Sequence, residues 1–67
     1  MAFVVKATSQ TGNVTWLAIA DERGFRTFAT RQMAELFPSV EDAQASIRTI
    51  QRAFLAKDLD FSVEPAD

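Results

Sequence analysis

The side chains in this sequence that could do chemistry are mostly carboxylates and cations, because the 67 residues include no His, Cys or Tyr. General acid–base catalysis falls most often to His, and nucleophilic catalysis needs Ser, Cys or Thr beside a base. Pairs of carboxylates could still act, but a chain of this length has little room for a catalytic pocket of about 300 Å³ or more. We therefore predict that the protein is not an enzyme.

Six acidic side chains lie in two stretches, and the ordinary role of such residues is to keep an edge strand soluble. Without Cys and His the usual zinc ligands are missing, so only oxygen sites made of carboxylates remain. Carboxylates this dispersed make a weak case for a metal site or a phosphate-mimicking surface. We expect no metal ion and no other cofactor. The six residues are Asp21, Glu22, Asp58, Asp60, Glu64 and Asp67.

Arg48 and Arg52 are four residues apart and share one face of the predicted helix, where exposure to solvent is the ordinary outcome. The alternative is contact with nucleic acid, for which the net charge of −2 and the pI near 4.9 give no general electrostatic reason. The same charge balance gives no reason to expect affinity for anionic lipid. A nucleic-acid contact would use Lys6, Arg26, Arg48 and Arg52.

Two strands open the chain. Residues 2–9 are β-branched and aromatic and then polar, and Gly12 with Asn13 can adopt positive φ in the turn that follows. In the second strand, residues 13–20, apolar residues occur at both odd and even positions, so both faces of the strand are apolar. Leu17 and Ile19 point to one side, and the other side carries Val14, Trp16, Ala18 and Ala20.

A third strand, residues 25–29, follows the polar turn 21–24. Its two Phe residues are three apart and point to opposite faces, so one of them joins the face that carries Trp16. Residues 30–37 have apolar side chains at helical spacing, and we predict a short helical turn there that plugs the end of the core. Pro38 ends this turn, because a residue before proline avoids helical geometry.

The clearest element is a helix. Ser39 suits its N-cap and Asp42 the third helical position, which resembles a capping box. The helix is predicted to run from Val40 to about Ala56. Its buried stripe recurs at spacings of three and four, at Val40, Ala43, Ile47, Ile50 and Phe54.

The last strand, residues 59–64, alternates strictly, with Asp60, Ser62 and Glu64 facing outward. The element order predicts a two-layer α+β fold, in which a four-stranded sheet (β-β-β-α-β) carries one long helix on one face. The crossover rule favours a last strand that lies parallel beside the first. We expect a single domain spanning residues 1–67.

Composition places the chain among globular proteins, with 48% hydrophobic residues and six Phe. A domain this short is marginally stable, and without Cys it has no disulfide to support it. Among the usual additional sources of stability for a small domain, oligomerisation is the one that remains. No stretch has the pattern of a signal peptide or reaches about 18 apolar residues, so we expect a cytoplasmic protein without a membrane contact.

Trp16 is the residue on which the functional interpretation depends. A Trp residue is usually buried in the core. If Trp16 points inward, however, Leu17 and Ile19 point outward, so the outer face of the sheet is apolar in either orientation of the strand. Exposed apolar patches mark interfaces, and Trp and Arg are enriched at hot spots. We predict a homodimer or partner interface at Val4, Lys6, Val14, Trp16, Arg26 and Phe28. Pairing of edge strands is a second route to a dimer.

The pattern Ala34-x-x-Phe37-x-Ser39-x-x-Asp42-Ala43, after a three-stranded meander and before an alternating last strand, resembles small uncharacterised phage and prokaryotic accessory proteins. The resemblance implies a fold and assigns no site residue. It also implies a mobile-element protein of the kind that binds host proteins. We therefore expect a small non-enzymatic protein-binding module that inhibits or modulates a host protein by surface binding.

Overall fold

The computed structural model describes residues 1–23, 27–54 and 59–66, with the backbone alone for Ala53 and Phe54. The strands are β1 (Phe3–Ser9), β2 (Val14–Leu17), β3 (Phe28–Ala29) and β4 (Leu59–Pro65), with a 3₁₀ helix (Arg31–Met33) and the helix α1 (Val40–Phe54) between the last two. The strands form one antiparallel sheet in the order β3-β2-β1-β4. Helix α1 packs on β1 and β4. The predicted small α+β fold is confirmed.

The predicted direction of the last strand is wrong, although its place beside β1 is right. Phe3 pairs with Pro65 and Ser9 with Leu59, so β4 is antiparallel to β1. The cause lies before the helix, where Phe37 pairs with Phe3 and brings the chain back to the start of β1. Helix α1 then spans about 22 Å once along the sheet, and β4 must return in the opposite direction.

The hairpin between β1 and β2 follows the prediction. Gly12 has φ +88°, and its N–H donates to the Ser9 carbonyl at 3.0 Å. The Asn13 N–H donates to the Ser9 hydroxyl at 3.1 Å. The positive φ explains why a residue without a Cβ occupies this turn.

The second strand is shorter than predicted, because β1 and β2 separate beyond the Lys6–Trp16 pair. Glu35 N–H donates to the Leu17 carbonyl at 2.9 Å. Phe37 exchanges two hydrogen bonds with Phe3, at 2.8 and 2.9 Å. The connection that follows the 3₁₀ helix therefore takes the hydrogen-bonding positions that a longer β2 would have used.

The core lies between α1 and the sheet. Phe37 plugs its end as predicted, whereas Met33 and Leu36 of the same stretch are exposed. The Ser39 hydroxyl accepts from the Asp42 N–H at 3.2 Å, which confirms the cap. The buried core cluster is Val5, Leu17, Phe37, Ala43 and Ile50, with Ile47, Phe61 and Val63 packed against it.

The two ends of the helix remain to be compared with the prediction. At its start one residue of the predicted buried stripe is exposed, and its predicted end lies outside the described residues. Val40 is 39% exposed, because it precedes Ala43 by three residues and so lies about 60° around the helix from it. The predicted end at Ala56 and the side chain of Phe54 lie outside the described residues.

Candidate protein-binding surface

The register of the sheet shows on which face Trp16 lies. Residues paired across antiparallel strands share a face, and Trp16 pairs with Lys6, which in turn pairs with Ser62. Leu17, the next residue, is fully buried in the core under α1. Trp16 therefore points away from the helix, on what we call the outer face.

The outer face is apolar on β2 and polar on β4. Val14 is 46% exposed and Trp16 is half-buried. Asp60 and Ser62 are exposed on the same face, on the edge strand β4. Across β2, β1 and β4 the outer face is made of Val14, Trp16, Val4, Lys6, Thr8, Asp60, Ser62 and Glu64.

Arg31 covers part of this face. Its guanidinium carbon lies 5.5 Å from the centroid of the Trp16 ring. The Nη2 of the same side chain donates to the carbonyls of Pro65 at 3.1 Å and Ala66 at 2.9 Å. The side chain thus connects β2 to the end of β4, and Val4 of the intervening strand is only 2% exposed. Val4 therefore contributes almost no exposed surface to the predicted interface.

Arg31 is the residue of this surface that the sequence reasoning missed. It belongs to the predicted helical turn, and no local spacing relates it to Trp16. Its carbonyl partners lie 34 and 35 residues away in the chain. The periodicity of a single element contains no signal for such a contact.

Lys6 lies on the outer face as expected, but it is paired. Its Nζ is 3.5 Å from Oε2 of Glu64, and both side chains are partly exposed. An ion pair at the surface contributes about 0–1 kcal/mol. Lys6 is therefore a minor contributor to stability and a partly neutralised cation.

Phe28 does not belong to the outer face, contrary to the predicted interface. It pairs with Leu17 and so shares the helix-side face. Its ring centroid lies 6.3 Å from that of Phe61. The alternation that placed one Phe of the third strand beside Trp16 leaves Phe25 as the alternative, and Phe25 and Arg26 both lie outside the described residues.

The three described cations of the nucleic-acid alternative lie on opposite faces of the sheet. Arg48 and Arg52 are exposed on α1, on the helix side of the sheet. Lys6 lies on the opposite face, and Arg26 is outside the described residues. A single groove could not be contacted by Lys6 and the two helix arginines at once.

Three further large apolar side chains are exposed near the bridge between Ala18 and Ala34, and we call this set the end cluster: Ile19, Met33 and Leu36. Their exposures are 69, 64 and 63%. Ile19 and Met33 flank the bridge between Ala18 and Ala34, and Leu36 follows Glu35, which binds β2. The sequence interpretation assigned Met33 and Leu36 to the core and missed this cluster.

Comparisons with known proteins give no identification. No protein-family model matches the chain. No curated protein and no solved structure matches it either.

Among the described residues, the acidic side chains form no group that could hold a metal ion. No group of three or more acidic side chains comes together there.

An open depression of about 560 Å³, larger than the sequence led us to expect, is lined by Ala20, Asp21, Glu22 and Arg23. Asp21 and Arg23 bind each other, through the Arg23 N–H at 2.9 Å and an ion pair at 3.8 Å. In the described part of the chain no helix is both long and apolar enough to cross a membrane.

We expect Arg31→Ala to lower the free energy of unfolding by about 1–2 kcal/mol, because it removes the contact with Trp16 and two charge-assisted hydrogen bonds. Urea unfolding measures this loss, and Trp fluorescence should shift to the red as the indole becomes wetter. Arg48→Ala is the matched control and should change stability by less than about 0.5 kcal/mol. Equal losses for the two variants would contradict the bridging role of Arg31.

Proposed function

We propose that the protein is a small, non-enzymatic protein-binding module of the cytoplasm that works as a homodimer and inhibits or modulates a partner by occluding its surface. The observation that carries the proposal is the end cluster. Three large apolar side chains, each more than 60% exposed, lie within two residues of one bridge of the sheet. Several large apolar side chains exposed around one point of a fold are a feature of protein interfaces.

The end cluster lies close in the chain to the apolar part of the outer face. Ala18, which forms the bridge with Ala34, follows Trp16 by two residues. Met33 follows Arg31 by two residues, and Arg31 lies over Trp16. Trp16 and its stacked arginine are thus each two residues in the chain from the end cluster or from the bridge beside it. Trp and Arg are the residue types most enriched at binding hot spots.

The resemblance to accessory proteins of phages and mobile elements suggests a host protein as the partner. A small chain with an exposed apolar end can act by covering a functional surface, and this requires no catalytic group. The mechanism we propose is therefore steric occlusion.

Trp16→Ala should abolish or strongly weaken partner binding while lowering the free energy of unfolding by about 1–2 kcal/mol. A fully buried aromatic side chain would cost about 3–5 kcal/mol when truncated, and half-buried Trp16 lies outside the core. Thermal or urea unfolding and a binding titration on the same sample separate the two effects. A loss in the range of a buried Trp would show that the indole packs in the core.

The partner itself is sought by affinity capture from the native host with three matched baits. The wild type and Gln32→Glu, which adds a charge to an exposed neighbour of the cluster, should retain the same protein. Met33→Glu should lose it. The captured protein is then purified and titrated against the same three variants. Equal affinity for Met33→Glu and Gln32→Glu contradicts the proposal, and tight binding to mixed-sequence DNA that weakens steeply with salt would favour the nucleic-acid alternative.

A further inference from the structure

We propose that two copies of the chain associate through the free edge of β4, with their β4 strands antiparallel about a two-fold axis perpendicular to the sheet. This arrangement doubles the four-stranded sheet and places both α1 helices on the same side. It rests on the homodimer in the proposed function and names its interface. The end cluster and Trp16 then remain available for the partner protein.

The hydrogen-bonding pattern shows which groups β4 offers at its edge. Phe3 exchanges its hydrogen bonds with Phe37 on the other side of β1, so Phe3 and Pro65 form a non-hydrogen-bonded pair. By alternation along the antiparallel ladder, Val5–Val63 and Ala7–Phe61 are pairs of the same kind. The N–H and C=O groups of Leu59, Phe61 and Val63 therefore point away from β1. In the part of the chain that the structure describes, no strand lies on that side.

One end of this edge is already closed. Pro65 has no N–H to offer, and its carbonyl accepts from Arg31 at 3.1 Å. The open run is thus confined to residues 59–63. Its three apolar side chains, Leu59, Phe61 and Val63, are half-buried on the helix side. A long open edge flanked by partly exposed apolar side chains is a template for another strand.

The charged side chains of β4 favour one alignment of the two antiparallel β4 strands over another. When the two-fold axis passes beside Phe61, Phe61 pairs with its equivalent and Leu59 with the second copy's Val63. On the outer face Asp60 then lies opposite the second copy's Ser62, which avoids like charges and leaves two hydrogen-bonding side chains in contact. An axis beside Ser62 would instead set Asp60 against Glu64. In the register centred on Phe61 the paired run is residues 59–63, so Glu64 lies outside it.

The position of the helix supports the same arrangement. Helix α1 packs on β1 and β4, so each helix would lie over the seam between those strands. Two strand spacings separate the seams in the dimer, which is about 10 Å. Helices pack side by side at about 8–10 Å. The second helix would therefore close the core where the single chain leaves Phe61 and Val63 half-buried.

Opposite charges placed at Ser62 test the register by sedimentation equilibrium. The wild type should sediment at micromolar concentration with about twice the 7.4 kDa of one chain. Ser62→Asp faces Asp60 twice in the dimer and should weaken it by about two- to thirtyfold, and Ser62→Lys should strengthen it by a similar factor. Within one chain Ser62 pairs with Lys6, so the two substitutions should affect monomer stability in the opposite sense. Asp60→Lys added to Ser62→Asp should restore association.

Amide exchange of the wild type locates the interface directly. The N–H groups of Leu59, Phe61 and Val63 should become protected as concentration rises, while the already bonded Ser62 changes little. A monomer at micromolar concentration, equal association of the two Ser62 variants, or a dimer with unprotected Phe61 would overturn the inference. Partner binding is read separately with Met33→Glu. A monomer that still binds the partner overturns this interface and the homodimer of the proposed function, but not the occlusion. A dimer with unprotected Phe61 overturns only this interface, and an intact dimer without partner binding overturns only the proposed occlusion.

Discussion

Phe37→Ala should lower the free energy of unfolding by about 3–5 kcal/mol. Phe37 is 4% exposed and packs with Val5 and Leu17 in the core cluster. Its backbone also holds Phe3 through two hydrogen bonds. Single domains are stable by about 5–15 kcal/mol and small ones lie near the lower end. The variant should therefore retain only about 0–2 kcal/mol of stability and be partly unfolded at room temperature.

The control is the adjacent residue. Leu36 is 63% exposed, so Leu36→Ala should change stability by no more than about 0.5 kcal/mol. Urea unfolding followed by circular dichroism measures both variants. If the two substitutions were equally costly, the connection after the 3₁₀ helix would not close the core through Phe37.

Leu17→Ala should cost about 2–5 kcal/mol, because it empties a fully buried position at the centre of the core. Ile19 has the same parity in the sequence, and the strand pattern assigns both side chains to one face. In the structure β2 ends at Leu17, and Ile19 is 69% exposed. Ile19→Ala should therefore leave the fold within about 0.5 kcal/mol of the wild type.

These two substitutions also bear on the proposed function in different ways. Ile19→Ala removes part of the end cluster from a folded protein, so partner binding should weaken without unfolding. Leu17→Ala should remove binding only in proportion to the unfolded fraction. Thermal unfolding monitored beside a binding titration distinguishes the two cases. A stable Leu17→Ala variant would contradict the assignment of Leu17 to the core.

Local patterns in the sequence were sufficient for most of the fold. The cap at Ser39, the stripe of Ala43, Ile47 and Ile50, and the alternation of β4 each arise within one element, because helical and strand periodicities are local properties of the backbone. The turn at Gly12 likewise depends on one residue that adopts positive φ. Element order and layer architecture followed from these signals.

Only the tertiary structure decided the direction of β4 and the make-up of the surface. The direction depends on the pairing of Phe37 with Phe3, 34 residues earlier in the chain. Parity showed that Trp16 and Leu17 lie on opposite faces but could not say which face carries the helix. Arg31 reaches Trp16 and the end of β4 through contacts that no periodicity encodes. The connection that buries Phe37 leaves Met33 and Leu36 exposed, and Ile19 is exposed beyond the end of β2.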